Sequence, residues 1–109
     1  MQDESERRLA RNEALFRETN EAIERGQWGD DPEKPVRFRC ECSRLECGDA
    51  VAVTLGQYEQ VRRSPRRFLV AHGHEMPEIE AVVDRGEGYL IVEKHDAAGE
   101  TAAATDPRQ

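Results

Sequence analysis

The chain lacks most of what would announce a function. No apolar run approaches the ~20 residues of a membrane span, and the opening MQDESERRLA does not read as a signal peptide. These two absences predict a soluble, cytoplasmic protein. Aromatic residues are few, 6% in all, with one Trp, so the base-stacking surfaces of nucleic-acid binders have little to be built from. There is no glycine-rich phosphate loop, no serine-nucleophile signature and no internal repeat. At 109 residues the chain excludes scaffolds such as a barrel of ~250 residues. Apolar residues are also scarce, 37% against 36% charged, which is lean for a compact globule.

The charge of −7 is unevenly spread. Residues 1–35 hold ten acids and six bases, residues 36–70 four and seven, and residues 71–109 nine and three. Strong apolar residues concentrate between Val36 and Val92. The division expected is an N-terminal helical segment 1–28, a Gly/Asp/Pro linker 29–35, a folded domain 36–95 and a disordered tail 96–109 without large apolar anchors. A core of about 60 residues buries only about 60% of its unfolded surface. Small domains of that size usually need a staple such as a metal or disulfides.

The pattern predicts an α+β fold. Residues 4–25 read as a helix, with Asp3 and Glu6 as a capping pair, Gly26 as its stop, and Leu9, Phe16 and Ile23 as a narrow stripe seven residues apart. That stripe is expected to lie on its own domain, which favours a monomer over a dimer. VRFRCEC (36–42) alternates as a half-buried strand with both thiols on the apolar face. AVAVTL (50–55) is its hairpin partner. Thr54 and Gln57 form a capping box for a short helix facing inward through Leu55, Tyr58 and Val61, ended by Ser64-Pro65. RFLVA (67–71) and YLIVEK (89–94) read as strands, and 77–84, opened by Pro77, as a helix. The sum is an N-terminal helix and a small, largely antiparallel sheet of three or four strands, with two short helices and a metal staple.

The chemistry sits in Cys40-Glu41-Cys42-Ser43-Arg44-Leu45-Glu46-Cys47. An odd number of clustered cysteines in a reducing compartment points to metal ligation or redox chemistry rather than structural disulfides. Three soft thiolates select zinc, and a structural zinc site wants four ligands. His72, His74 and His95 are the candidates for the fourth place. His95 precedes the tail and reads as solvated. His72 and His74 share the loop Val70-Ala71-His72-Gly73-His74-Glu75, where Gly73 frees the backbone to turn one ring inward. Two other readings compete: a thiol pair that switches to a disulfide, and inert core thiols. The second is disfavoured because the polar turn between the cysteines would hardly bury all three.

The segments NEALFRETNEAIE (12–24) and FRCECSRLECGDAVAVTLGQYEQVRRSPRRFLVAHGHEMPEIEAVVDRGEGYLIVEK (38–94) resemble a group of small actinobacterial-type proteins of no established activity. These combine a C-x-C-x4-C strand with a later Gly-His-Glu loop. The resemblance implies a site of Cys40, Cys42, Cys47 and His74, with His72 standing where such proteins carry a proline. A neutral imidazole adds no charge to a three-thiolate zinc site already at −1, whereas Glu46, Asp49 or Glu75 would deepen it. Arg37, Arg39 and Arg44 are expected to stand around the ligands and offset the remaining charge.

A zinc deaminase needs H-x-E before P-C-x-x-C, an order this chain does not have. Arg62, Arg63, Arg66 and Arg67 form the one basic cluster, read as a solvated helix end or a patch for an acidic protein partner. Acidic flanks on both sides argue against nucleic acid. The expected function is therefore a non-catalytic zinc-binding module that engages a protein partner. A thiol or zinc redox sensor that changes shape on metal loss is the alternative.

Overall fold

The structure is a computed structural model that describes residues 2–27, 31–42, 44 and 46–108, with the backbone alone for 2–7. Trp28, Gly29 and Asp30, where the helical segment was expected to meet its linker, lie outside the described residues, as do Ser43 and Leu45 of the cysteine turn. The elements are α1 (Gln2–Gly26), β1 (Val36–Arg39), β2 (Ala50–Val53), α2 (Leu55–Arg62), β3 (Arg67–Ala71), β4 (Glu80–Gly86), β5 (Tyr89–Lys94) and α3 (Asp96–Ala104). The class is the α+β fold read from the sequence, with the strands divided between two antiparallel sheets.

β1 and β2 form a hairpin in which Val36 faces Val53 and Arg39 faces Ala50. The second sheet runs β3-β5-β4, with Leu69 opposite Ile91 at its centre. The Glu41 amide donates to the Leu69 carbonyl at 2.7 Å, which joins the two sheets beside the cysteines. The core lies between the sheets and α2. Phe38, Val51, Val53, Tyr58, Leu69, Leu90 and Val92 are buried there, and the Phe38 and Tyr58 rings stack at 4.3 Å. The Thr54–Gln57 capping box of α2 is formed as its sequence dictates.

α1 lies on this core through a face that is largely polar. Phe16 is buried, but so are Glu13, Arg17, Asn20, Glu21 and Glu24. Positions 13, 17, 20 and 24 fall three and four apart, so they share one helical face. Each carries specific partners, as burial of a polar group demands. Arg17 stacks on Phe68 at 3.7 Å and donates to the carbonyls of Ala102 and Arg67 at 3.3 and 2.9 Å. The expected stripe of Leu9, Phe16 and Ile23 is thus only part of the seam, with Leu9 and Ile23 half-buried.

Two expectations about the elements are corrected. Residues 77–84 are not a helix. Pro77 opens a single turn closed by the Ile79 and Glu80 amides on the Met76 carbonyl, and β4 follows, paired to β5 with an irregularity between Val82 and Asp84. β-branched Val82 and Val83 suit a pleated strand, and pairing with β5 overrides the helical spacing. The tail is not disordered either. Residues 96–104 form α3, and Ala102 is buried. Small side chains anchor it by close approach rather than by bulk: a Cβ on Gly99 would meet Arg66 Nη1 at 2.5 Å and the Lys94 carbonyl at 2.9 Å.

Candidate metal centre

β1 ends at Arg39, so both upstream cysteines sit just past the strand rather than within it. Cys40 remains in register through its amide, which donates to the Asp49 carbonyl at 3.0 Å. Further along, the Cys47 amide closes on the Arg44 carbonyl at 3.1 Å. The other wall is the turn after β3. Gly73 adopts φ +84°, a conformation open to glycine, and the His74 amide bonds back to the Ala71 carbonyl at 3.1 Å. That turn carries His74 over the cysteines. Its Nδ1 lies 3.4 Å from Cys40 Sγ and 3.5 Å from Cys47 Sγ.

Cys40, Cys42, Cys47 and His74 bring one donor atom each to within 4.8 Å of one another, a group fit to hold one metal ion. All three cysteines are buried, against the expectation that a polar turn would expose one of them. The polar side chains of the turn point outward at Arg44 and Glu46, which are exposed, while the sulfurs point in. His72 is exposed and is not in the group. Neither is any carboxylate.

The sulfurs are prepared for negative charge. The Ala71 amide donates to Cys40 Sγ at 3.2 Å. The amides of Cys42, Arg44 and Asp49 favour the ionised forms of Cys40, Cys42 and Cys47 in turn. Without a cation, however, the thiols divide their roles. A hydrogen bond from Cys40 pulls the Cys42 thiol down to about 4, against the effect of burial. Giving that hydrogen bond, together with burial, pushes Cys40 up, and burial pushes Cys47 up. Each ionised thiol opposes ionisation of its neighbours, and a cation among them would relieve that opposition.

No family model, curated protein or solved structure matches the chain. What the centre can do is accordingly read from its own atoms and their supports.

Asp49 is the first of these. Its Oδ2 lies 3.2 Å from His74 Nε2, so the carboxylate holds the far side of the ring and directs Nδ1 at the sulfurs. A carboxylate on the second nitrogen is the usual support of a ligating histidine. Asp49 was weighed in the sequence only as a rival ligand, and nothing in its spacing shows that it orients one. Among the three arginines expected around the site, Arg39 alone places its guanidinium there. It donates to the Cys47 carbonyl at 2.6 Å and covers the Phe16 ring at 3.8 Å. Arg44 contributes through its backbone, and Arg37 is exposed on β1.

Glu41, between two ligand candidates, is fully buried. Its Oε2 accepts from Asn20 Nδ2 at 2.8 Å and from the Tyr58 hydroxyl at 2.9 Å, and its Oε1 from the Leu69 amide at 2.9 Å. The alternation of 36–42 in the sequence puts Glu41 on the face opposite the thiols, and it keeps that side although β1 itself ends at Arg39. That this opposite face is also interior could not be read without knowing where α1 lies.

The basic cluster does not form a patch. The Arg62 side chain is wholly buried against Glu21 at 2.7 Å and against Asp106. Arg66 lies against Gly99 of α3, and Arg67 pairs with Glu93 at 2.9 Å. Arg63 is the exposed member. Folding the tail onto α2 is what takes Arg62 out of solvent. His95 is exposed, as expected, with Nδ1 3.1 Å from Asp96.

Proposed function

We propose that this is a small zinc-binding domain whose metal staples the fold and whose biological role is to engage another protein, without catalysis. The observation that carries it is the gathering of three sulfurs and one imidazole nitrogen within 4.8 Å of one another. With Zn–S about 2.3 Å and Zn–N about 2.0–2.1 Å, the sulfur–nitrogen edges of a tetrahedral site are about 3.5 Å long. Two of these edges, from Cys40 and Cys47 to His74 Nδ1, are 3.4 and 3.5 Å. Cysteine thiolate and imidazole are soft to borderline donors, the pairing that suits zinc.

Four protein donors fill such a site and leave no position for an activated water, which supports a structural role. Burial of all three sulfurs favours this over the redox-sensor reading, since a sensing thiolate needs exposure. No helix among the described residues is long and apolar enough to cross a membrane. The reduced, metal-ligating thiols agree with a cytoplasmic setting. The charge of −7 disfavours a phosphate backbone as partner, and a monomer is the expected form.

The test is elemental analysis of the purified protein, followed by cobalt substitution. One zinc per chain and a cobalt spectrum of tetrahedral, three-thiolate type are expected. His74→Ala should weaken retention under chelator competition while His72→Ala leaves it unchanged. A metal-free protein with an unchanged melt, or a metal-bound water in the cobalt form, would overturn the reading.

A further inference from the structure

We propose that metal occupancy and the docking of α1 are one coupled equilibrium, transmitted by Glu41 and Asn20, so that emptying the site releases the helix. The proposal deepens the metal-binding reading and rests on it. It names the part of the molecule that the metal controls.

Asn20 is the joint. From α1 it treats β1 as a neighbouring strand would. Its Oδ1 accepts from the Arg39 amide at 2.7 Å, and its Nδ2 donates to the Arg39 carbonyl at 2.8 Å. The same Nδ2 reaches Glu41 Oε2 at 2.8 Å. Asn20 therefore grips the residues on both sides of Cys40. Phe16, one turn earlier, lies under the Arg39 guanidinium, which also donates to the Cys47 carbonyl. Arg39 and Glu41 thus flank a donor, Cys40, while being held by α1.

Each side needs the other. Beyond Arg39 the chain leaves β1, and among the described residues the Cys40, Glu41 and Cys47 amides bond to the carbonyls of Asp49, Leu69 and Arg44. A metal shared by the four donors would add a further hold on Cys40, Cys42 and Cys47. If the site empties and the segment relaxes, Glu41 shifts. Asn20 then faces a displaced carboxylate and a displaced Arg39, and buried amides left unpaired are costly. If α1 leaves instead, Glu41 loses one of its three donors inside the core, and the backbone behind Cys40 loses its clamp. Two ligands of one two-state element influence each other equally, so the coupling is reciprocal. Release of α1 also bares Phe68, which Arg17 covers. An adaptor regulated by metal would use such a face, covered when the site is full and open when it is empty.

The experiment uses the full chain. Hydrogen exchange is followed by mass spectrometry with zinc bound and after a strong chelator, and zinc affinity is measured by competition for wild type, Asn20→Ala, Tyr58→Phe and the exposed control Leu15→Ala. Asn20 touches no metal donor. Its loss is expected to weaken zinc at least tenfold, and Leu15→Ala to leave it unchanged. Tyr58→Phe keeps the ring on Phe38 and removes one donor to Glu41. It is expected to weaken zinc several-fold, and it carries the test if Asn20→Ala does not fold. Chelation should speed exchange across residues 10–25 while β3 and β5 stay protected. Zinc binding with wild-type affinity in both Asn20→Ala and Tyr58→Phe overturns the coupling and leaves the metal reading intact. Equal acceleration in α1 and β5 also overturns it, because the whole domain then opens together. Absence of zinc binding in wild type removes the metal reading itself.

Discussion

The corner that holds the cysteines and the seam where the C-terminal segment meets α1 and α2 fasten the same core by opposite means. The corner draws three of its four donors from eight consecutive residues, and a single turn after β3 delivers the fourth. The seam draws its charges from distant parts of the chain. Glu21 meets Arg62, 41 residues away, and Arg108, 87 residues away. Arg108 also pairs with Glu24 at 3.0 Å and Glu59 at 2.6 Å. Metal bonds concentrate stabilisation at one point. Ion pairs spread it, and where they face water each contributes little. On the metal-binding reading proposed above, a small domain with 37% apolar residues uses both.

Metal removal tests the stronger fastening and should have the largest effect. Zinc binding in small folded sites contributes on the order of 10 kcal/mol to folding. Chelation should therefore lower the melting temperature by tens of degrees, and Cys42→Ser should do the same without chelator. A scan that shows stripped and loaded protein melting together would mean that the seam alone holds the domain.

Within the seam, the buried part should dominate. Arg62→Ala removes a wholly buried cation and leaves Glu21 and Asp106 with only their bonds to Arg108 among those described. Breaking such a pair costs about 3–5 kcal/mol. Chemical denaturation should read a loss of that order, and Arg62→Met, which fills the space, a smaller one. Equal losses would mean that packing rather than charge sets the value of this position.

The same contrast explains what the sequence disclosed. Cys40, Cys42 and Cys47 could be grouped because their spacing is local, and Gly73 beside His74 marked a turn able to swing a ring. The α2 capping box and the hairpin of β1 and β2 were equally local. The seam was not. Arg62, Arg66 and Arg67 read as a basic patch because their partners, Asp106, Gly99 and Glu93, lie in segments whose position only the fold supplies. The buried partners of Glu13, Arg17, Asn20 and Glu24 were out of reach for the same reason. The alanine-rich tail read as loose because composition shows bulk and not close approach.

Acid should separate the two groups of buried carboxylates. Burial pushes Asp106 up, but the Arg108 amide and the Arg62 guanidinium outweigh it and hold the carboxyl below the ordinary aspartate range. Its folded value lies under its unfolded one, so its contribution is complete above about pH 4 and is lost as pH falls through the folded value. Glu13 acts in the other direction. Burial raises it despite Lys94, so its contribution is present below about pH 4 and fades as pH rises through its folded value. Asp106→Asn should flatten the acid limb of a stability–pH curve measured with zinc saturating at each point. An unchanged limb would place the acid sensitivity elsewhere.

The smallest effect is expected at Arg108, although it makes more ion pairs than any other arginine described. Three carboxylates surround it, from α1 and α2. Number does not decide its value, because a third of its side chain is open to water, at 31% exposure, and Glu59 is more open still at 45%. Solvent screens such contacts, and ordering a long side chain opposes them, so exposed pairs are each worth under about 1 kcal/mol. Glu21 and Glu24 are buried, so Arg108→Ala should cost more than its exposed Glu59 pair alone but less than Arg62→Ala at low salt. The cost should shrink further at 1 M salt, where the screening length is about 3 Å. Glu59, which the Arg108 guanidinium and a hydrogen bond with Glu24 hold down to about 2, should return toward the ordinary glutamate range in the variant, as carbon-detected NMR titration would show. A loss as large as that of Arg62→Ala, unmoved by salt, would mean that the end of the chain is fastened as firmly as the metal corner, and the contrast between the two regions would fail.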